Sequence, residues 1–591
     1  MRINRTWAAR CVVLAMLAAA GYAGHAATEP RGGYAGEAAG AADANVSEEI
    51  GDADAGANAG RGAVSGERTR TGFAQGGGAG GASSDAAVVV STAIVLNDVD
   101  PSKLKPPDTL ENNPIARWAR KKLGVAQENL WILPDEPALR NKLKQALNGE
   151  EALPDVLYLN DHILPGLLND IAASGRFMDL EAAFAAYASP RMKEAYARHP
   201  DVWRTVRVDG KLWGLPQISD GKVGDPILWI RGDWLDRLGL EAPATLEELE
   251  TVMASFVRDD PDGNGAADTY GLALAGKHTL NGWMGDASFL FGAYGPQPYQ
   301  WNRGADGKLA YGSVQPEIER SLAKLAEWYA NGLLHPDFGT HDEPAAAALF
   351  AEGRAGVISG PGWMGGWPLS ELPSGEPTSS FRPIPYPSGP DGRVGRKGSK
   401  ISYGSYVFRK DFEHIEAVFR YWDEVYGALI EDPASDFAIG FAEGYDYVMK
   451  DGEPVYDFPG ATSTISQFFL VAPGSVPPGV MDESLEERVY RGLVRTPYEK
   501  KLAATASRLY LEGRLVGDLQ LDAAQRDEFL GPHSPAMLTK WPALQQLEKE
   551  AFLKIVYGNE PSASFADFVR DWHAYGGETI TDEVNRWDEE N

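Results

Sequence analysis

Oxygen-bearing side chains recur at alternate positions in one short segment, residues 260–268. Its side-chain oxygens come from Asp260, Asp262, Asn264 and Asp268, and the Ala266 carbonyl supplies another. Ca²⁺ takes about six to eight oxygens in such loops, and Gly265 stands where an EF-hand loop turns sharply. Gly271 replaces the EF-hand glutamate, and Thr269 offers no carboxylate in its place. The segment predicts a structural Ca²⁺ site short of one strong ligand. A metal-free turn closed by Asx hydrogen bonds is the alternative.

Catalytic signatures are absent, since the sequence contains no HExxH, GxSxG or GK[ST] motif. Two acidic pairs, Asp155 with Asp161 and Asp342 with Glu352, have the residue types of a glycosidase dyad. The chain carries 84 Asp and Glu residues, so such pairs arise by chance. A solvated carboxylate is therefore the favoured interpretation of each.

Composition excludes several classes of partner. The 591 residues include 55 Lys and Arg against 84 Asp and Glu, a formal net charge of −29. That balance repels phosphate backbones and anionic lipids, so no nucleic-acid partner is expected. Cys11 is the single cysteine, so neither an intramolecular disulfide nor a Cys-based zinc site is expected.

The first residues are typical of an export signal, and residues 1–27 are predicted to be a signal peptide. Three arginines precede the apolar run Cys11–Ala20, and cleavage is expected after Ala26 or Ala27. Tyr22 stands where a lipoprotein would carry its lipidated cysteine. A plain secreted protein is favoured, and a lipoprotein relative that has lost its anchor is the alternative.

Folded sequence is expected from residue 87 onwards, after a Gly/Ala-rich tract at 28–86 that predicts a disordered tether. Strand and helix patterns then alternate. The predicted strands are 88–96, 130–133 and 154–159, and the predicted helices are 113–123, 136–148 and one beginning near 163. This alternation predicts βαβ units and a parallel sheet, whose ligands bind beyond the carboxyl ends of its strands.

Four stretches carry a resemblance to a known family. They are DGKLWGLPQ to LWIRGDWLDRLGLEAPATLEEL (209–249), DPDGNGAADTYGL (260–272), ALFAEGRAGVISGPGWMGG (348–366) and FADFVRDWHAYGGETITDEVNRW (565–587). In content and order they resemble extracellular solute-binding proteins of the sugar-type ABC importers (family 1). The long lipoprotein-type members of Gram-positive bacteria and their alginate-binding relatives are the most similar. The resemblance extends from about residue 90 to the end.

The resemblance implies an α/β fold of the type II periplasmic-binding class, with two lobes joined by crossing hinge segments around a ligand cleft. The implied division gives residues 87–220 and 386–430 to the first lobe and 221–385 to the second, with 431–591 mainly helical and completing both. The first crossing is expected near Gln217–Ile227 and the return near Phe381–Pro385. Closure of the lobes about this hinge is the expected motion.

The resemblance also implies a set of ligand-binding residues. Aromatic rings cover the flat faces of sugars, and polar side chains bind their hydroxyls. Gly360-Pro361-Gly362-Trp363 resembles the Gly-Pro-Trp turn of maltose-binding-type proteins, so Trp363 would stack on the ligand while Gly360 and Gly362 leave room for it. The polar residues expected at strand ends are Asn97, Asp98, Asn160, Asp161 and His162.

Four further aromatic residues are assigned, two as candidates for the cleft and two to the core. Trp283 and Tyr403 are additional candidates for ligand contact, with packing in the core or on the surface an equal alternative. Trp422 and Trp572 follow helical apolar patterns and are expected in the core.

The implied function is binding without catalysis. The protein would be exported (extracellular, cell-surface or periplasmic), capture an oligosaccharide, and deliver it to the permease subunits of an ABC importer. One cleft per chain favours a monomer. A secreted carbohydrate-active enzyme and a sensory binding protein remain alternatives. Lys and Arg are sparse at the predicted site, which disfavours uronic acids, although Arg231 and Arg237 leave acidic sugars open.

Overall fold

The structure, a computed structural model, describes residues 87–97, 99–219, 222, 224–370, 380–427, 433–462, 465 and 485–591. The predicted signal peptide and tether lie outside these residues, as does Asp98. Within the described part of the chain, no helix combines the length and apolar character needed to cross a membrane.

The first part of the chain alternates strands and helices, as predicted. Its elements are β1 (Val88–Val95), α1 (Pro114–Leu123), β2 (Val125–Leu133), α2 (Glu136–Leu147), β3 (Val156–Asn160), α3 (Leu164–Ser174), α4 (Glu181–Tyr187), α5 (Pro190–Arg198), β4 (Arg207–Val208), β5 (Lys211–Leu212) and β6 (Leu215–Ile218). The helices begin where polar caps precede a proline. The Asn113 side chain accepts hydrogen bonds from two backbone N–H groups of α1, and Asp135 accepts one from α2.

The second part forms another mixed array. Its elements are β7 (Pro226–Arg231), α6 (Gly232–Leu238), α7 (Leu246–Arg258), β8 (Tyr270–Ala273), α8 (Ser288–Tyr294), β9 (Trp301–Arg303), β10 (Leu309–Tyr311), α9 (Glu317–Ala330), α10 (Glu343–Ala351), β11 (Ala355–Pro361) and β12 (Phe381–Ile384). One sheet has the strand order β12-β7-β11-β8. β7 and β11 are buried along their whole length, which explains why both are nearly continuous apolar runs.

The remaining segment is mainly helical. It contains β13 (Arg396–Lys397), β14 (Ser402–Phe408), α11 (Ile415–Trp422), β15 (Val448–Lys450), β16 (Glu453–Val455), α12 (Leu485–Tyr490), α13 (Pro497–Thr505), α14 (Arg508–Gly517), β17 (Ala524–Gln525), α15 (Pro535–Val556), α16 (Phe565–Trp572) and α17 (Glu578–Glu590). Side chains of α15, α16 and α17 pack into the core around β7, whereas α14 packs in a separate cluster against the end of β11.

The parallel sheet predicted for the first lobe is only partly correct. β1 and β2 are parallel and pair from Val88 opposite Val125 to Val95 opposite Leu133, with a shift of register between Thr92 and Ala93. β3 instead pairs antiparallel with β14, and β14 pairs antiparallel with β6 on its other side. The prediction was wrong for β3 because β14 comes from the returning segment, some 240 residues further along the chain.

Two main cores underlie the two lobes. The first gathers β1, β3, β6, β14 and α11 and includes Trp422 at 2% exposure, and the second gathers α7, α9, α15 and α16 and includes Trp572 at 0%. Both tryptophans are therefore core residues, as predicted. A third cluster lies where β11 meets α14 and includes Trp363.

The chain crosses between the two sheets twice within the described residues. It leaves the first sheet at Ile218 and enters the second at Pro226, then leaves the second at Ile384 and rejoins the first at Ser402. Tyr386 still packs in the second core, so the segment assigned to the first lobe from residue 386 begins in contact with the second. The division of the chain otherwise stays a prediction.

Candidate functional site

Asn160 lies at the end of β3, where polar ligand-binding residues were expected. Its side-chain oxygen accepts hydrogen bonds from the backbone N–H groups of His162 (3.2 Å) and Ile163 (3.1 Å). Its amide nitrogen donates to Glu136 at the start of α2. Asn160 therefore closes the turn between β3 and α3. This structural role explains why a polar residue stands here, and it does not require a ligand.

Asp161 faces a basic partner from the returning segment. Its backbone N–H donates to the Tyr403 carbonyl (3.0 Å), and its carboxylate, 18% exposed, forms an ion pair with Lys400. The neighbouring His162 has a side chain that is 67% exposed. The structure thus brings Asp161 and Tyr403 together at the edge of the first sheet.

Asn97, the other predicted strand-end residue that is described, lies exposed in the turn after β1. No hydrogen bond between described residues joins Asn97 to Asn160, Asp161 or Tyr403. A ligand role for Asn97 stays a prediction.

Tyr403 links the two lobes. It belongs to β14 of the first sheet, where its carbonyl also accepts a hydrogen bond from the Tyr158 hydroxyl (2.9 Å), yet its side chain packs against the third cluster. A Cβ at Gly224, in the first crossing, would lie 3.2 Å from the Tyr403 hydroxyl oxygen. Its aromatic ring therefore stands at the junction between the lobes.

Three indole rings form a near-parallel group, named here the tryptophan platform (Trp283, Trp363 and Trp367). The ring centroids of Trp283 and Trp363 are 5.7 Å apart with planes inclined by 29°, and those of Trp283 and Trp367 are 6.2 Å apart and inclined by 17°. Trp363 is 7% exposed, whereas Trp283 and Trp367 are half-buried. Trp363 is therefore almost fully buried, and its two partners present most of the accessible aromatic surface.

Gly360 and Gly362 do not leave room for a ligand, contrary to the prediction. A Cβ at Gly362 would lie 2.7 Å from the Gly513 carbonyl oxygen on α14, and one at Gly360 would meet the Met364 sulfur. The space is taken by the protein itself because α14 packs directly on the short helical turn Gly362–Gly365. These glycines therefore permit a close backbone approach, not ligand access.

A stretch of the returning segment connects the platform to the end of β3. This stretch, residues 396–403, is named the cleft segment. The Lys397 ammonium donates to the carbonyls of Asn281 (2.5 Å) and Gly282 and pairs with Asp286 (3.1 Å), so it fixes the loop that carries Trp283. Lys400, three residues on, pairs with Asp161.

Sequence reasoning missed Trp367, Lys397 and Lys400. Trp367 was detectable, because it follows Trp363 by four residues in the same Gly-rich turn. The two lysines stand in Arg396-Lys-Gly-Ser-Lys400, a polar run without apolar periodicity, and that pattern alone indicates only a loop.

A carboxyl group with a raised pKa lies close enough to Lys400 to interact with it electrostatically. Burial raises the pKa of Asp527 to about 6, an effect only partly offset by hydrogen bonds from the backbone N–H groups of Trp301 and Phe529 (3.1 Å each) and by the Lys400 charge. Asp527 belongs to the loop after β17 and Lys400 to the cleft segment. Carboxylates therefore approach Lys400 from two separate parts of the chain.

The two acidic pairs with the composition of a glycosidase dyad are far apart. Asp155 and Asp161 flank β3, about 20 Å apart along an extended strand. Asp342 and Glu352 cap opposite ends of α10, about 15 Å apart along a helix. Glycosidase carboxylates stand about 5–9.5 Å apart, so neither pair forms such a dyad.

The predicted calcium loop turns its carboxylates inward. The Asn264 side-chain nitrogen donates to Asp262 (2.8 Å) and to Asp268 (3.2 Å), while the Gly265 N–H donates to Asp260 (3.1 Å). Burial, together with the nearby charges of Asp260 and Asp268, raises the pKa of Asp262. The loop thus gathers negative charge around one side-chain amide.

The loop suits Ca²⁺ by donor type, because its side chains offer only oxygens apart from the Asn264 amide nitrogen. Thr269 supplies no ligand, since it is buried and its hydroxyl donates to the Phe256 carbonyl (2.8 Å). Among the described residues, no three His, Cys, Asp or Glu side chains stand in an arrangement that could hold a metal ion. The Asx hydrogen bonds of the alternative interpretation are present.

Comparisons with known proteins agree with this geometry. The family model described as "Bacterial extracellular solute-binding protein" matches residues 133–428, just over half of the chain. The polygalacturonan/rhamnogalacturonan-binding protein YtcQ of Bacillus subtilis (strain 168) is 33% identical over 161 residues, which are 27% of this chain and 30% of that protein. The match therefore spans less than a third of this curated relative's length.

Solved structures share the fold. The HMO-binding ABC-transporter-associated solute-binding protein of Bifidobacterium longum infantis ATCC 15697 superposes with a TM-score of 0.60 at 18% identity, covering 85% of this chain and 99% of that one. The EF-hand mutant of the S. pneumoniae ABC-transporter substrate-binding protein FusA, in complex with fructo-nystose, gives 0.58 at 16% identity and covers 85% and 99%.

The fold is therefore the two-lobed α/β type II class of periplasmic binding proteins, as predicted. With a family model matched over half of its length, the chain belongs to the bacterial extracellular solute-binding proteins.

Proposed function

We propose that this protein captures an oligosaccharide between its lobes and delivers it to the permease subunits of an ABC importer. The tryptophan platform carries the proposal. Trp283 and Trp367 are half-buried, their planes lie within 17° of parallel, and they pack in the cluster that Tyr403 of the other lobe joins. Flat aromatic surfaces of this kind stack on the apolar faces of sugar rings.

The names of similar proteins support a carbohydrate ligand, since they state binding of polygalacturonan/rhamnogalacturonan, of HMO and of fructo-nystose. The family description supports a location outside the cytoplasm. Binding without catalysis is favoured over a secreted hydrolase because the acidic pairs stand at opposite ends of β3 and of α10. Release of reducing ends from polysaccharides incubated with the protein would contradict this part of the proposal.

The proposal includes a structural Ca²⁺ held by Asp260, Asp262, Asn264, Asp268 and the Ala266 carbonyl. Two observations support this calcium site. The carboxylates of Asp262 and Asp268 both accept hydrogen bonds from the Asn264 amide, and the similar FusA structure is named as an EF-hand mutant. The ion would fix the loop after α7 and would take no part in ligand binding.

A thermal-shift screen against oligosaccharides tests the main proposal, because a ligand that binds only the folded state raises the melting temperature. We expect at least one oligosaccharide to raise the melting temperature of the wild type, and to raise that of Trp283→Ala by less at the same ligand concentration. Trp541→Ala is the matched control, since Trp541 is also half-buried but packs against Trp301 in the second core. Stabilisation by peptides alone would contradict the proposal.

A further inference from the structure

Every basic side chain of the cleft segment is paired with a carboxylate. Arg396 binds Asp225, Lys397 binds Asp286 (3.1 Å) and Lys400 binds Asp161. The three carboxylates come from three different places: the end of the first crossing, the loop before α8 and the turn after β3. Positive charge along this segment is thus neutralised within the protein.

The other basic residues considered for an acidic ligand are also engaged. Arg231 is 7% exposed and holds Asp233 through two hydrogen bonds of 2.8 and 2.6 Å. Arg237 donates to the carbonyl of Pro261 (2.7 Å), which lies within the calcium loop. Lys222, in the first crossing, lies 3.5 Å from Asp518. The possibility that Arg231 or Arg237 holds a uronate therefore lacks support.

Further carboxylates lie close to the same surfaces. A Cβ at Gly282, next to Trp283, would be 2.7 Å from a Glu343 carboxylate oxygen, so Glu343 borders the loop that carries Trp283. Asp527 approaches Lys400, as described above. Burying the charge of a carboxylate-bearing sugar against these two carboxylates is costly.

We propose that the cleft takes an uncharged oligosaccharide and excludes uronic-acid polymers. This rests on the proposed function, because it specifies the ligand class of the same site. The preference for neutral sugars has two causes. The three cations of the cleft segment are already paired with carboxylates, and Asp527 and Glu343 add negative charge nearby. In this respect the protein differs from its relative named for binding polygalacturonan.

Two ligand panels test the proposal by calorimetric titration of the full-length protein. One holds neutral oligomers (fructans, glucans, mannans, xylans and carboxyl-reduced oligogalacturonates), and the other holds acidic oligomers (unreduced oligogalacturonates and alginate fragments). We expect binding from the neutral panel only, with at least tenfold preference over any acidic oligomer. Equal or tighter binding of an acidic oligomer would overturn the inference. Binding of neither panel would overturn the carbohydrate proposal itself.

A variant isolates the electrostatic cause. Asp161→Asn releases Lys400 and should shift the acidic-to-neutral affinity ratio towards acidic oligomers by about 3–10-fold, more at low than at high salt. Asp436→Asn is the control, because it releases Lys122 of α1 from its 2.9 Å ion pair with Asp436, away from the cleft segment. An unchanged ratio in Asp161→Asn would show that ion pairing does not set the selectivity.

Discussion

Arg396 and Asp225 form an ion pair whose side chains are only 1% and 2% exposed. Asp225 closes the first crossing and Arg396 lies on the return, so the pair ties together the two segments that join the lobes. Ser399 adds two hydrogen bonds of 2.7 Å to the same carboxylate, from its N–H and its hydroxyl.

Asp225→Asn should lower the free energy of unfolding by about 3–5 kcal/mol, because it leaves a buried guanidinium without its counter-charge. Urea denaturation measures the change. Asp411→Asn is the control, since Asp411 pairs with Arg409 but is 75% exposed, and its loss should cost less than about 1 kcal/mol. Equal losses of unfolding free energy in the two variants would show that the buried pair contributes no more to stability than the exposed one.

Trp283→Ala should weaken ligand binding by about 1–3 kcal/mol and change the melting temperature little, because this ring is half-buried at the junction. Trp363→Ala should weaken both binding and folding, since the ring is 7% exposed. Trp422→Ala should cost about 3–5 kcal/mol of folding alone. Calorimetry and thermal melting of the three variants separate these effects. Unchanged affinity in Trp283→Ala would place the ligand elsewhere.

Removal of calcium by a chelator should lower the melting temperature, and Asp262→Ala should abolish that sensitivity. The reason is that Asp262 and Asp268 converge on one point and repel each other without a cation. Asp259→Ala serves as control, because Asp259 pairs with Arg258 outside the loop. A melting curve that chelator leaves unchanged would show that the Asx hydrogen bonds suffice.

Glu548 should make the protein less stable as the pH rises. Burial raises its pKa to about 7, although the Tyr311 hydroxyl donates to it (2.8 Å). Between the ordinary pKa of 4.5 and this value, the folded state holds a proton that the unfolded state has lost, so stability falls through this range. Glu548→Gln should remove up to about 3 kcal/mol of that fall.

Melting temperatures between pH 5 and pH 8 check this expectation. Glu550→Gln, an exposed position on the same helix, should follow the wild-type curve. If Glu548→Gln also follows the wild-type curve, the Glu548 carboxyl group is ionised in the folded as well as the unfolded state over this pH range.

The sequence predicts well those features that neighbouring residues determine. The starts of α1 and α2 follow from Asn113 and Asp135, each of which caps the helix that begins directly after it. The position of β14 could not be predicted in this way, because its partners β3 and β6 lie far back in the chain.

The candidate site shows the same limit. Trp363 was identified from its turn, but its burial depends on α14, about 150 residues later. Lys397 reaches the carbonyls of Asn281 and Gly282 across more than 110 residues, and no local pattern contains that contact.

The contact between Gly362 and Gly513 determines what can be exchanged between proteins of this fold. The platform's turn rests on the backbone of α14, with no side chain between them, whereas the matched family segment ends at residue 428. A chimaera that contains this turn but takes the helix equivalent to α14 from another protein would have to reproduce this close backbone contact with a different helix. Moving this turn to another scaffold therefore means transplanting residues 362–367 and 508–517 as one unit.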